Sequence, residues 1–260
     1  MPELLEIETH RVAASAVLGR RIVEVHTPDS WYLKRGADAA AITGALLHQE
    51  VVDVGRHGKL LTLSVTGAAV LGLRFGMTGR LVVDGHAPIG RLEYSSGRFD
   101  DAWVRFSLVF SGGGRLTVFD QRRLGGVELD PDLSTLGPDA STLTVAQLRE
   151  ALGSSSASLK AVLLDQHRLA GLGNLLVDEA LWRSRLDPTR PASSLDGGEQ
   201  RRLASTIRST VAELGRRGGS HTGDLQVARR PGALCPRCAT PLQRRVVGTR
   251  TTWSCPLEQR

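Results

Sequence analysis

The pattern of hydrophobic and polar positions divides the chain into a strand-rich first half and a helical second half. In the first 130 residues, short apolar or alternating runs predict seven strands, interrupted by two helices. The predicted strands are 21–26, 51–54, 60–65, 69–75, 80–83, 103–110 and 115–119, and the predicted helices are 4–18 and 39–47. Closely spaced strands with glycine-rich turns, such as 111–114, are typical of a β-sandwich or barrel.

From about residue 131 the apolar positions recur with a period near 3.6, which predicts helices over 145–152, 159–165, 174–183 and 198–216. After Gly218-Gly219 the chain is short, basic and cysteine-bearing, with a predicted hairpin of 243–247 and 251–255. We therefore predict an α+β protein with three domains. These are an N-terminal β-sandwich flanked by helices (1–130), a helical domain (131–217) and a hairpin domain (218–260).

Charge is distributed unevenly along the chain. The 260 residues carry a net charge of +6, and residues 201–260 alone hold twelve arginines against three acidic residues. A basic quarter on a slightly acidic body is typical of a protein that binds a polyanion, although an arginine-rich bias spread over a solvated face is the alternative. Lysine is rare, with only Lys34, Lys59 and Lys160.

The sequence also indicates where in the cell the protein is located. No apolar run approaches the ~18 residues of a membrane span, and the start Met1-Pro2-Glu3 lacks the positive region of a secretory signal. We expect a soluble, cytoplasmic protein that contacts no membrane. Three cysteines, an odd number, argue against a disulfide framework and leave metal binding or free thiols.

The cysteines have the spacing of a zinc ribbon with one ligand changed. Cys235 and Cys238 form one C-x₂-C pair, and Cys255 begins a second pair whose last position is Glu258. Two such pairs joined by a hairpin present four donors to one zinc ion. Here Glu258 or His221 would have to supply the fourth donor; alternatively, the hairpin has no metal and is held by packing around Trp253.

A glycine turn joins two predicted helices at Gly171-Leu172-Gly173-Asn174. Glycines allow a partner to approach the backbone closely, and the free N–H groups at a helix start bind phosphate well. Asn174 would cap the following helix or donate to the same phosphate. Taken alone, this stretch would favour an ordinary helical hairpin.

Six motifs lie in order along the chain. They are the opening M-P-E-L-L-E-I-E at 1–8, G-K-L-L at 58–61, F-G-M-T-G at 75–79, D-Q-R-R-L-G at 120–125, the helix–turn–helix stretch at 160–179, and Arg250 five residues before Cys255. Together they resemble the motifs of the formamidopyrimidine-DNA glycosylase and endonuclease VIII (Fpg/Nei) family of base-excision repair enzymes, which open with M-P-E-L-P-E-V-E and carry a helix–two-turn–helix at the place of 160–179. Because the motifs span the whole chain in the family's order, the set is far more specific than any one motif.

The resemblance implies a catalytic N-terminus. After removal of Met1, the secondary amine of Pro2 would attack the anomeric carbon of a damaged nucleotide and displace the base, because an α-amino group is partly unprotonated at neutral pH. Glu3 would protonate the sugar and shuttle protons during β- and δ-elimination, with support from Glu6. Without the other motifs, Pro2-Glu3 would simply be a favourable helix start.

The resemblance also implies that the protein is a monomeric enzyme that binds double-stranded DNA containing a damaged base or an abasic site. Lys59, which the resemblance assigns to the catalytic residues with Pro2, Glu3 and Glu6, would also contact a phosphate together with Asn174 and Arg250. Lys160 and Gly173 would belong to the same DNA-binding region. Met77, Arg122 and Leu124 would enter the duplex and fill the gap left by an extruded base. The implied cofactor is structural zinc on Cys235, Cys238 and Cys255.

The chain departs from the family pattern at three positions and in the length of one segment. Leu5 replaces a proline, Leu124 replaces a phenylalanine wedge, and Glu258 replaces the last cysteine. The segment 218–224 runs directly into 225–227, where Fpg members carry a longer segment that closes over 8-oxoguanine. The preferred lesion is therefore open among oxidised pyrimidines, ring-opened purines, bulkier adducts and abasic sites.

Three functions compete at this point. A bifunctional DNA glycosylase and lyase accounts for Pro2, Glu3 and Glu6. A non-catalytic binder of damaged DNA would account for the short segment and the altered finger. A general arginine-rich RNA-binding protein fits the charge but predicts none of the ordered motifs, and with only 11 aromatic residues the chain has no evident base-stacking platform.

Overall fold

The computed structural model describes residues 2–92 and 95–260. The chain divides into two compact units. The first, here the β unit, comprises Met1–Pro2 with Glu6–Leu133, and the second, here the helical unit, comprises Glu3–Leu5 with Ser134–Arg260. The division of the chain into three domains stays a prediction.

The β unit contains two four-stranded antiparallel sheets with strand orders β1-β6-β7-β5 and β2-β3-β4-β8. Its strands are β1 (Ile22–His26), β2 (Val51–His57), β3 (Leu60–Val65), β4 (Val70–Arg74), β5 (Arg80–Val83), β6 (Val104–Phe110), β7 (Arg115–Phe119) and β8 (Gly126–Leu129), and its helices are α1 (Leu4–Ala14) and α2 (Ala39–Leu46). Strand β8 was not predicted. Both sheets contribute to one apolar cluster, for example through Leu63 and Phe106, so the predicted sandwich is confirmed.

The helical unit is built from four helices and a two-stranded hairpin. They are α3 (Val145–Leu152), α4 (Leu159–Leu164), α5 (Asn174–Ser184), α6 (Gly197–Arg217), β9 (Gln243–Val247) and β10 (Arg250–Ser254). Helix α6 begins with a reciprocal capping box between Asp196 and Glu199 and ends at Gly218. The apolar faces of α3 to α6 share one core, including Leu148, Leu181 and Ile207.

The C-terminal segment 229–260, here the finger, carries the β9–β10 hairpin. Its buried apolar side chains form a separate small cluster with Trp182 of α5, including Leu242 and Trp253. Within the described residues, no helix is both long and apolar enough to cross a bilayer.

Candidate active site and nucleic-acid interface

Glu3 lies at the start of helix α5 and is completely buried. Its carboxylate accepts three backbone hydrogen bonds, from the N–H groups of Gly173 (2.9 Å), Leu175 (2.8 Å) and Leu176 (3.0 Å). The first N–H groups of a helix have no partner inside the helix, and a negative charge there interacts favourably with the helix dipole. Glu3 therefore caps α5 from a distant part of the chain and is held in one position.

Gly173 makes this contact possible. A Cβ atom at this position would overlap the carboxyl group of Glu3. The glycine turn predicts that the amide groups at this helix start bind a phosphate, but Glu3 already occupies three of them. The tight glycine turn thus admits an acidic side chain of the protein itself.

Pro2 and Glu6 belong to the β unit. Pro2 is buried, and Glu6, in the first turn of α1, is 7% exposed. Glu3, which follows Pro2 in the sequence, is the acid fixed by the start of α5.

Lys59 lies in the two-residue turn between β2 and β3, where His57 pairs with Leu60. This turn is tied to α1 through Arg56, whose guanidinium donates to the Glu8 carboxylate (3.0 Å) and to the carbonyl of Gly58 (2.9 Å). A partly exposed lysine on an anchored turn is well suited to contact a phosphate.

Met77, Arg122 and Leu124 lie on two adjoining loops of the β unit, residues 76–79 and 120–125, here the wedge loops. Leu124 is 51% exposed, and Arg122 Nη1 lies 3.5 Å from Met77 Sδ. Gly76 has a left-handed backbone (φ 55°), and a Cβ there would overlap the backbone of Leu124. The structure therefore brings the three predicted intercalating side chains together.

Asp120 organises the wedge loops, and the sequence analysis gave it no role. It is fully buried, and its carboxylate accepts hydrogen bonds from Thr78 Oγ1 (2.5 Å), Arg122 N (3.2 Å) and Gly125 N (2.8 Å). An aspartate directly after a strand commonly bonds to the backbone of the following turn. Its place at the start of the D-Q-R-R-L-G motif was the available signal.

Asp29 and Arg123 form a second unpredicted contact. Both carboxylate oxygens of Asp29 accept from Arg123, from Nε at 2.7 Å and from Nη2 at 2.6 Å. Burial opposes ionisation, but the hydrogen bonds and charges of Arg123 and Arg105 lower the pKa of Asp29 below its usual value. Arg123 has a left-handed backbone (φ 55°), so this ion pair holds the residue between Arg122 and Leu124 in a sparsely populated conformation.

Asn174 and Lys160 converge on the finger. Asn174 Nδ2 donates to the carbonyl of Thr251 (3.1 Å), and Lys160 Nζ lies 3.2 Å from the same oxygen. Lys160 is fully buried and pairs with Asp178 at 2.6 Å. Burial lowers the pKa of Lys160, and the attraction of Asp178 opposes this shift.

Arg250, the residue directly before Thr251, is exposed at the start of β10. Lys160 has no exposed surface that a phosphate could contact. Its hydrogen bond to the Thr251 carbonyl instead fixes the backbone next to Arg250.

The three cysteines lie close together. One ligand atom from each of Cys235, Cys238 and Cys255 lies within 4.8 Å of the others, so these residues could bind a metal ion. Among the described residues, neither Glu258 nor His221 belongs to this group of donors. Instead, Glu258 Oε2 lies 3.3 Å from Nε of both Arg185 and Arg237.

The short segment after α6 is held by Glu179, whose carboxylate accepts from the N–H groups of Asp224 (3.1 Å) and Leu225 (2.9 Å). Arg183 pairs with Glu179, Glu213 and Asp224 on the same face. This segment is therefore fixed by hydrogen bonds on α5, and Leu225 is fully buried.

Comparison with known proteins gives first the class to which this fold and site belong. Residues 1–127 match the formamidopyrimidine-DNA glycosylase N-terminal domain, and residues 135–224 match the formamidopyrimidine-DNA glycosylase H2TH domain. The chain therefore belongs to the formamidopyrimidine-DNA glycosylase family, as the ordered motifs indicated.

Particular relatives agree along the whole chain. It is 37% identical to a formamidopyrimidine-DNA glycosylase of Symbiobacterium thermophilum, over 98% of this chain and 88% of the relative. It is similar to the crystal structure of the MutM (Fpg) protein from Thermus thermophilus, with 33% identity, a TM-score of 0.80 and coverage of 99% and 98%. A Lactococcus lactis FPG mutant solved with Fapy-dG DNA shares the fold at TM-score 0.84 and 24% identity, over 100% of both chains.

Proposed function

We propose that this protein is a DNA glycosylase with an associated lyase activity, which removes a damaged base through a Schiff base on Pro2. The observation that carries the proposal is Glu3, a buried carboxylate fixed by three backbone N–H groups directly after the proline. A capping role alone does not require the acid to follow directly after a buried proline. Relatives named formamidopyrimidine-DNA glycosylase support the glycosylase activity.

The proposed reaction begins when the nitrogen of Pro2, exposed by removal of Met1, attacks C1′ of the damaged nucleotide. The bond from C1′ to the base breaks, and the base leaves with a proton taken from water. The Glu3 carboxylate takes the proton that the Pro2 nitrogen releases and passes it to the ring oxygen as the sugar opens, and C1′ becomes an iminium carbon on the Pro2 nitrogen. Loss of a C2′ proton then expels the 3′ phosphate, and a second elimination expels the 5′ phosphate. Glu6 supports these proton transfers.

Double-stranded DNA with a damaged base or an abasic site is the proposed partner. Lys59, Asn174 and Arg250 contact phosphates, which fixes the position of the strand without reading its sequence. Met77, Arg122 and Leu124 fill the gap in the stack, which offsets an unstacking cost of a few kcal/mol. We propose that Lys160 and Gly173 act indirectly, by positioning the Thr251 backbone and Glu3. The enzyme acts as a monomer in the bacterial cytoplasm.

The test is reduction with borohydride in the presence of an abasic-site duplex. Wild-type protein should give a covalent complex with DNA, because the reduced iminium cannot hydrolyse. Pro2→Gly should lose the secondary amine and most of the trapped product, and protein that retains Met1 should give none. If micromolar wild-type protein binds the duplex but no complex is trapped, the enzymatic proposal is wrong and a non-catalytic damaged-DNA binder is favoured.

A further inference from the structure

The finger has three of the four protein ligands that a closed structural zinc site requires. A structural zinc ion takes four protein donors in a tetrahedral arrangement, usually sets of cysteine and histidine. In the part of the chain that the structure describes, the donor group contains only Cys235, Cys238 and Cys255. Four-ligand zinc, as the family resemblance implies, therefore does not fit the residues present.

The residue at the fourth corner has other partners. Glu258 Oε2 lies 3.3 Å from Nε of both Arg185 and Arg237, so it forms two ion pairs, although no described residue donates a hydrogen bond to this oxygen. Arg237 is itself fixed, because its guanidinium stacks on Trp182 at 4.2 Å and donates to the Trp182 carbonyl at 2.5 Å. Rotation of Glu258 onto a metal would leave both guanidinium groups without this carboxylate.

The thiols also have neighbours that require no metal. The indole Nε1 of Trp182 donates to Cys235 Sγ at 3.4 Å, and Cys238 Sγ donates to Thr240 Oγ1 at 3.3 Å. Cys238 and Cys255 lie 3.5 Å apart between their sulfur atoms. Such weak contacts satisfy thiols as small, mostly apolar side chains.

Protein contacts also hold the ends of the finger. Gln259 accepts from Cys255 N (2.8 Å) and donates to the carbonyl of Leu186 (2.9 Å), and it is 3% exposed. Lys160 and Asn174 hold the Thr251 carbonyl, and Trp253 packs in the apolar cluster with Trp182. The finger thus has a buried core and side-chain ties of its own.

We propose that the finger of this protein folds without a metal ion, and that the Arg185–Glu258–Arg237 ion pairs occupy the place of the fourth ligand. Small zinc domains usually depend on the ion for folding, because metal binding supplies their folding free energy. In this chain the apolar cluster supplies most of that stabilisation, and the ion pairs, one of which involves the largely exposed Arg185, supply a smaller part. The inference concerns folding and is independent of the proposed reaction.

The experiment compares full-length wild type, Glu258→Cys and the matched variant Glu258→Gln, each expressed with zinc in the medium. Zinc per chain and the thermal midpoint, with and without a chelator, are measured for each. Wild type should hold less than about 0.2 equivalents of zinc, and its midpoint should not change with chelator. Glu258→Cys should hold about one equivalent and lose several degrees in chelator, because a fourth thiolate completes the site.

Glu258→Gln keeps the size of the side chain and removes its charge. It should bind no zinc, and its thermal midpoint should lie below that of wild type. A midpoint equal to that of wild type would show that the ion pairs do not stabilise the finger. Wild-type protein with close to one equivalent of zinc and a chelator-sensitive midpoint would overturn the proposal. A failure of Glu258→Cys to bind zinc would also contradict it, because Glu258 would then not be what keeps the site open.

Discussion

Two glutamates near opposite ends of the chain are held by different kinds of partner. Glu3 is bonded to three backbone N–H groups at the start of α5, whereas Glu258 is paired with the side chains of Arg185 and Arg237. Backbone donors are present whatever side chains surround them, provided that the helix forms. Side-chain partners depend on particular residues, so the role of Glu258 differs from what its motif position indicated. Motif transfer is therefore safest where the backbone provides the contacts.

The largest expected effect comes from Glu3→Gln, which changes the glutamate that is bound by backbone N–H groups. The amide cannot donate a proton to the sugar, and its NH₂ group faces backbone donors. Cleavage of an abasic duplex under single-turnover conditions should slow by about 10²–10⁴, and stability should fall by about 1–3 kcal/mol in urea unfolding.

Glu8→Gln is the matched control for Glu3→Gln. It removes a partly exposed carboxylate that pairs with Arg11 and Arg56, so the cleavage rate should change far less. A Glu3→Gln protein that cleaves at the wild-type rate would exclude Glu3 as the acid.

His10 sharpens the comparison because it is buried with neither kind of partner. Among the described residues nothing bonds to either ring nitrogen, and the ring packs 4.6 Å from Phe75. Burial, aided by the charge of Arg80, lowers the pKa of His10 from 6.5 to about 3. Between these values the unfolded chain binds the proton and the folded protein does not, so stability falls as pH drops below 6.5.

The buried neutral ring of His10 lowers the free energy of unfolding by up to about 1.4 kcal/mol for each pH unit below 6.5, down to the folded-state pKa. We expect His10→Phe to remove this contribution to the pH dependence of stability. Urea unfolding at several pH values between 4 and 7 measures it, and exposed His86→Gln is the control. Equal slopes for wild type and His10→Phe would contradict a buried neutral histidine.

Asp29 has partners of both kinds, since it accepts from Trp31 N (3.2 Å) as well as from Arg123. Asp29→Asn should keep the backbone contact and weaken the ion pair, at a cost of about 1 kcal/mol. Because Arg123 then loses its restraint beside Leu124, affinity for an abasic duplex should fall a few-fold with little change in the trapped fraction at saturation. Unchanged affinity would show that the wedge loops keep their shape without Asp29.

Much of the fold could be predicted from local patterns. Strands such as β3 and β7 have clear apolar runs, and the helices over 145–152 and 174–183 were predicted within one residue of their observed bounds. Strand β8 was missed because it begins with glycine after a glycine and carries Glu128, which weakens the apolar signal. The predicted family and α+β sandwich are confirmed.

The contacts of the site were harder to predict because they join distant residues. Glu3 meets the start of α5 across 170 positions, and Asp29 meets Arg123 across 94. Short motifs identify which residues are candidates, but a single sequence contains no signal for such pairings. Only the folded chain shows that the N–H groups of Gly173, Leu175 and Leu176 bind Glu3 rather than a phosphate.

The burial of Lys160 has a practical consequence for chemical footprinting. The chain has three lysines, and Lys160 has no exposed surface, so Lys34 and Lys59 are the lysines that a gentle amine-acylating reagent can reach. Lys34 lies beside the ring of Trp31, away from the turn that carries Lys59 in the sequence. Mass spectrometry of the acylated protein would thus resolve the modification of Lys59 as a nearly isolated signal, with Lys34 as an internal reference on the same molecule.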